Sequence, residues 1–260
     1  MSDDRGQEPG GGAFGDRRPP SYPAFRAPGI LIGLVAVLFG VHLARAFMDV
    51  QADFEFLVTF ALIPARYGAG IDGTQIVFPY PLWGAVWTPV TYAFLHGDWM
   101  HLGFNAIWLL AFGTPVARRL GPVRFIFFYL LCAIIAALVF VAAQVGTLVP
   151  VIGASGAISG VIAGAALFVF ERGGPLARFG FDHSAEALRA IPRRPAHKVL
   201  TSGPAMIFIA VWLGFAMLTG LLGIGATGEA ANIAWEAHLG GFIAGILLFR
   251  RFDPGAEAPE

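Results

Sequence analysis

Six apolar segments dominate this chain: 28–47, 99–116, 125–145, 151–170, 204–224 and 233–249. A helix needs about 20 mostly apolar residues to cross about 30 Å of hydrocarbon, and all six meet or approach that length. Few charges remain to cover a water-facing surface. Charged residues are 13% of the chain, against about 25% in a soluble domain. With 57% hydrophobic residues and a mean hydropathy of +0.69, the chain belongs in a bilayer, as an all-α bundle of six transmembrane helices. The single cysteine, Cys132, excludes a disulfide framework and a thiolate metal cluster. Zero net charge excludes a nucleic-acid binder held by bulk charge.

Residues 1–27 read as a disordered cytoplasmic tail, with nine glycines and prolines and no apolar run from which to build a core. The charged start runs into Gly and Pro instead of a short apolar stretch, so it does not read as a cleavable signal, and the first span is expected to serve as an anchor. A six-span domain is expected over 28–250 and a second cytoplasmic tail over 251–260. Fifteen of the 17 Lys and Arg fall in the tails and in the turns after the even-numbered spans. Such a bias marks the cytoplasmic side, which predicts both termini cytoplasmic. Arg45 and Arg66 alone fall on the other side.

The outer loop, 48–98, holds the aromatic stretch 76–95, broken by Pro79, Pro81 and Pro89. Proline interrupts a spanning helix, while Trp83, Trp87, Tyr80 and Tyr92 suit a headgroup region. The stretch reads either as lying in the outer interface or as a folded extracellular loop.

Polar residues inside spans are costly and mark function. Three clusters stand out: His96-Gly97-Asp98-Trp99-Met100-His101-Leu102-Gly103-Phe104-Asn105 entering span two, Gly153-Ala154-Ser155-Gly156 entering span four, and Ala237-His238-Leu239-Gly240-Gly241 in span six. At about 1.5 Å per residue, Ser155 falls about 6 Å below the start of its span, His238 about 8 Å, and His101 and Asn105 about 3 and 9 Å. Even-numbered spans all begin on the outer side, so these four side chains share one layer in the outer third of the membrane.

Glycine spacing indicates which spans touch. Gly156, Gly160 and Gly164 recur every four residues in span four, as do Gly241 and Gly245 in span six, and such rows let helix backbones approach closely in lipid. His238 lies three residues before Gly241, on the same face, and Ser155 adjoins Gly156. A pairing of spans four and six predicts Ser155 beside His238. A serine within reach of a histidine is an activated nucleophile; the imidazole takes the hydroxyl proton and later gives it to the leaving amine. Glu236, two residues from His238, points to another face and is expected near the outer water, so a Ser–His dyad is predicted without a third, acidic member. Asn105, His101 and the Ser155 backbone N–H are candidate donors to a developing oxyanion. His96, at the water boundary, is expected to tie down the outer loop.

This constellation resembles the rhomboid family of intramembrane serine proteases. The resemblance rests on the GASG stretch at 153–156, the His-x4-His-x3-Asn spacing at 96–105 and the AHLGGFIAG stretch at 237–245. It implies Ser155 as nucleophile and His238 as base, His101 and Asn105 as parts of the oxyanion site, and a six-helix bundle of rhomboid type with a water-filled cavity open to the outer face. Gly153, Gly156, Gly241 and His96 are then structural residues near the site. The implied partners are the bilayer and single-span membrane protein substrates, cut near the outer end of their helix, with no cofactor, no metal and no nucleic acid. The expected location is a bacterial inner membrane. The sequence departs from the family pattern at Thr88, where Trp-Arg is common and Trp87-Thr88 stands here, and at Ser159, where Tyr or Phe often stacks on the base.

The alternative function is a non-proteolytic rhomboid-like protein that binds client transmembrane segments. A metal or haem site built from His96, His101 and His238 leaves Ser155 and its glycines without a role. A soluble α/β-hydrolase elbow needs Gly-x-Ser-x-Gly, and Ala157 stands where its second glycine belongs. Spans three and five lack the mid-membrane charges and broken helices of a transporter. Cys132 is expected in the core, Trp108 and Trp212 in core or lipid-facing positions, and His183 and His197 in solvent. The basic loop 172–198 fits either anionic-lipid contact or simple topological bias.

Overall fold

The computed structural model describes residues 27–68, 76–171, 173–176, 183–201, 203–222 and 234–255. Residues 1–26 of the expected N-terminal tail, the start of span six and residues 256–260 of the expected C-terminal tail lie outside the described residues. The described chain is almost wholly helical. Its elements in order are α1 (Gly29–Ala46), α2 (Val50–Phe60), a 3₁₀ turn (Pro64–Tyr67), α3 (Pro81–Thr91), a second 3₁₀ turn (Tyr92–Phe94), α4 (Trp99–Leu120), α5 (Pro122–Ala143), α6 (Ser155–Ala166), α7 (Ala185–Ala190), α8 (Ala196–Thr201), α9 (Gly203–Leu222) and α10 (Trp235–Phe252). The described residues contain no strand, only one antiparallel backbone pair between Leu62 and Val151.

Each of the six apolar segments holds one of these helices. Three of them, α1, α4 and α5, are long and apolar enough to cross a membrane. The protein is therefore an all-α, multi-pass integral membrane protein. By contrast α6 runs for only 12 residues, and every residue after Ser155 in it is buried. A helix apolar on all sides is a core helix, and α6 packs against α4, α5 and α10. It ends early because the chain loosens into turns after Ala166, where the Leu167 carbonyl accepts the Arg194 N–H at 2.9 Å.

The loop between α1 and α4 is folded and also presents an apolar face. Pro81 opens α3 at its first turn, where its missing N–H leaves no carbonyl unmet. One face of α3 is stitched to the rest of the loop. Trp87 Nε1 donates to the Thr59 carbonyl at 3.0 Å, Thr91 Oγ1 to that of Phe60 at 2.7 Å, and Thr88 shares a 2.6 Å hydrogen bond with the Tyr67 hydroxyl. The guanidinium at the centre of this loop comes from Arg66, which donates to the carbonyls of Pro79 (2.9 Å) and Val58 (2.6 Å) and lies over the Phe78 ring. The other face of α3 exposes Leu82, Trp83 and Val86, with Tyr80 beside them. Tyr92 does not share that surface position. It is buried, and its hydroxyl donates to the Ala133 carbonyl at 2.9 Å. Its side chain is a prop between the loop and α5.

A buried ion cluster closes the opposite end of the bundle. Asp253, which caps α10, accepts from Arg119 Nε and Nη2 at 2.7 and 2.9 Å and from Arg193 Nη1 at 3.1 Å. Arg119 is fully buried, donates as well to the carbonyls of Leu188 (2.6 Å) and Ile191 (2.8 Å), and lies over Phe168. Two members of the basic set are thus structural fasteners. Removing one partner of a buried pair costs about 3–5 kcal/mol, because the other charge stays buried and unpaired. Asp253→Ala is therefore expected to lower the thermal unfolding temperature in detergent by more than any exposed-charge change such as Glu186→Ala; equal effects would show that the cluster contributes nothing.

Candidate active site

The chain approaching α6 is extended and held on two sides. Val151 and Leu62 exchange backbone hydrogen bonds at 2.8 and 3.1 Å, and the Gly153 N–H donates to the Tyr92 carbonyl at 2.9 Å. Gly153 then takes φ +122°, a conformation open to glycine and strained for other residues. Glycine is needed there for space as well. A Cβ at Gly153 would stand 2.8 Å from His101 Nε2 and 3.8 Å from Ser155 Oγ. The turn thus brings His101 and Ser155 to the same small volume. Ser155 is the first residue of α6 and is half-buried. Its N–H is among those at a helix start with no carbonyl one turn earlier, where the dipole favours negative charge.

His238 stands on α10, which crosses α6 at its glycines. The Gly156 carbonyl occupies the place of a Cβ on Gly241, and the Ala237 carbonyl lies 3.6 Å from the place of a Cβ on Gly156. Ser155 and His238 therefore sit one residue from the two sides of a backbone-to-backbone contact. His238 is half-buried and lies within electrostatic range of His101. Its Nδ1 is buried and has no hydrogen-bond partner among the described residues. Glu236 is no candidate for that role, and it does not lie in open water as expected. It is buried and accepts from Gln144 Nε2 at 2.6 Å. Pairing with Gln144 lets the carboxylate sit inside the bundle and fastens α10 to the end of α5.

His101 and Asn105 share a face of α4. Asp98 caps that helix, its Oδ1 accepting the His101 N–H at 2.8 Å, which satisfies one of the orphan donors of the first turn. Asn105 is buried and gives one Nδ2 hydrogen to the His101 carbonyl at 3.1 Å, which leaves a second. Ser159 is fully buried and donates to the Ser155 carbonyl at 2.6 Å, so no ring stands at that position. The ring beside His238 comes instead from α9: Trp212 lies 6.1 Å from it, tilted by 48°. An apolar tryptophan in an apolar helix carries no sequence signal for such a place. Among the described residues, no group of three or more His, Cys, Asp or Glu could hold a metal.

His96 lies in the connection before α4, fully buried, with its ring edge-on to His101 at 5.0 Å. Burial first, then the neighbouring His101, His42 and Arg45, bring its pKa down from 6.5 to about 3. The unfolded chain takes up this proton below 6.5 and the fold refuses it until about 3. Stability is therefore full above pH 6.5 and lost as the pH falls through that window. Among the described residues neither ring nitrogen has a partner in full hydrogen-bond geometry, and the Phe94 carbonyl offsets only part of the fall. His96→Phe is then expected to keep the fold while flattening the acid slope of the unfolding temperature; an unchanged slope would exclude His96 as its source.

Comparison with known proteins gives one match. A family model described as Rhomboid domain matches residues 84–252, more than half of the chain, a stretch that includes His96, His101, Asn105, Ser155 and His238. No curated protein matches.

Proposed function

The chain belongs to the rhomboid family, and on that premise we propose that it is an intramembrane serine endopeptidase acting on single-span membrane proteins near the outer end of their helix, with the six helices crossing the bilayer and both termini cytoplasmic. The observation that carries this reading is the crossing of α6 and α10 at Gly156 and Gly241, which bears Ser155 and His238, with the His101 ring brought in by α4.

The chemistry follows from these groups. Ser155 Oγ attacks the scissile carbonyl carbon while His238 Nε2 takes its proton. The negative charge moves to the carbonyl oxygen, toward donors on His101, Asn105 and the Ser155 N–H. The C–N bond then breaks, and His238 returns the proton to the leaving amine. Water repeats the sequence on the acyl-enzyme and frees Ser155. With Glu236 engaged by Gln144 and Nδ1 of His238 without a partner among the described residues, two residues carry the proton traffic instead of three.

A fluorophosphonate probe tests this without a known substrate. The full-length protein is expected to be labelled on Ser155 and protected by prior acylation. Absence of labelling in folded protein would favour the alternative, a non-proteolytic rhomboid-like protein that binds client segments.

A further inference from the structure

Arg45 is a buried cation that lies close to the site without belonging to it. It stands in the last turn of α1, with 8% of its surface exposed. An ionisable side chain in such surroundings needs a reason to be there. Its Nε and Nη2 take both carboxylate oxygens of Asp53, at 2.7 and 3.1 Å. The third arm, Nη1, donates to the His96 carbonyl at 2.7 Å. A bidentate carboxylate fixes the plane of a guanidinium, so Asp53 aims the remaining donor.

The target of that donor matters. The His96 carbonyl immediately precedes Gly97 and Asp98, the residues that lead into α4, and Asp98 in turn caps the helix through the His101 N–H. One turn before Arg45, His42 meets Trp99 edge-on, with ring centroids 4.4 Å apart. So α1 grips both flanks of the turn from which His101 projects toward Gly153 and Ser155. A turn made of Gly97 and its neighbours has little stiffness of its own.

We propose that Arg45 is a positioning residue: together with Asp53 it clamps the His96 carbonyl and thereby sets where His101 presents its ring to the reacting oxygen. For its chemistry this rests on the proteolytic reading above; for the clamp it rests on the hydrogen bonds alone. Displacing a transition-state donor by about 1 Å costs on the order of 100-fold in rate, with little effect on binding of a long transmembrane substrate.

The test compares the full-length protein in liposomes with Arg45→Met, Arg45→Lys and Asp53→Asn, following cleavage of a single-span model substrate and amide hydrogen exchange of residues 96–102. Arg45→Met is expected to lower kcat by about 10–100-fold with KM within about twofold. Arg45→Lys, which keeps the charge and one donor but loses the fork, should recover part of the rate, and Asp53→Asn should fall between the two. Exchange should quicken in residues 96–102 and not in α6. An unchanged kcat in Arg45→Met overturns the proposal, as does a loss that the Lys variant does not relieve and that comes with faster exchange throughout. If the wild type cleaves nothing, the proteolytic reading fails, while exchange in residues 96–102 still decides the clamp: unchanged protection there overturns it.

Discussion

Ser155→Ala and His238→Ala will each abolish cleavage, and the double variant will be no slower than either single one. When nucleophile and base act as one unit, losing either leaves only the catalysis of the oxyanion donors and of binding. Each single change is therefore expected to lower kcat by about 10⁴-fold or more, whereas Asn105→Ala, which removes one donor, should cost about 10²–10³-fold. Both variants should fold. Ser155→Ala keeps the carbonyl that Ser159 uses, and Nδ1 of His238 has no partner to lose among the described residues. The measurement is single-turnover cleavage of a model substrate in liposomes, with unfolding temperature as the control. Activity near wild type in either variant would overturn the dyad. Additive losses would mean that the two residues do not share one proton path.

What the sequence discloses here is short-range. A spacing of four between glycines is a local pattern, and it marks which helix faces can touch; the α6–α10 contact falls on those rows. The start of α6 at Ser155 and of α4 after Asp98 are local too, one needing a positive-φ glycine and the other an acidic cap. Partners remote in the chain leave no such mark. Tyr92 reads as an interfacial aromatic because its neighbours are aromatic, yet its acceptor is the carbonyl of Ala133. Glu236 reads as solvated because it stands at a helix start, yet Gln144 draws it inside. Arg119 is hidden in a charge count that treats every cation as topological, although Asp253 and Phe168 surround it. Hydropathy also overstates α6. It scores 151–170 as one apolar run but does not register that the helix stops at Ala166.

Gly241→Ala will remove activity by displacing a helix, without touching any reacting group. The place of its Cβ is already taken by the Gly156 carbonyl, 2.8 Å from the carbonyl carbon. Backbone cannot swing aside as a side chain does. Nor can α6 retreat, since it is enclosed by α4 and α5 as well as α10 and is buried from Gly156 onward. The strain falls on α10, which must lift away. Overpacking of this kind costs about 1–3 kcal/mol in stability, but the same movement separates Ser155 from His238, where about 1 Å is worth on the order of 100-fold in rate. Activity should therefore fall much further than stability. A graded series checks the cause. Gly245→Ala meets the Gly160 backbone, 2.7 Å from its Cα, and should behave similarly. Gly164→Ala meets the rings of Phe249 at 2.5 Å and Phe128 at 3.3 Å, which can rotate, so its loss should be smaller. Gly33→Ala on α1 meets none of the described residues within 4 Å and should leave cleavage unchanged. Full activity in Gly241→Ala would mean that the two helices can separate at this crossing and still bring serine to histidine.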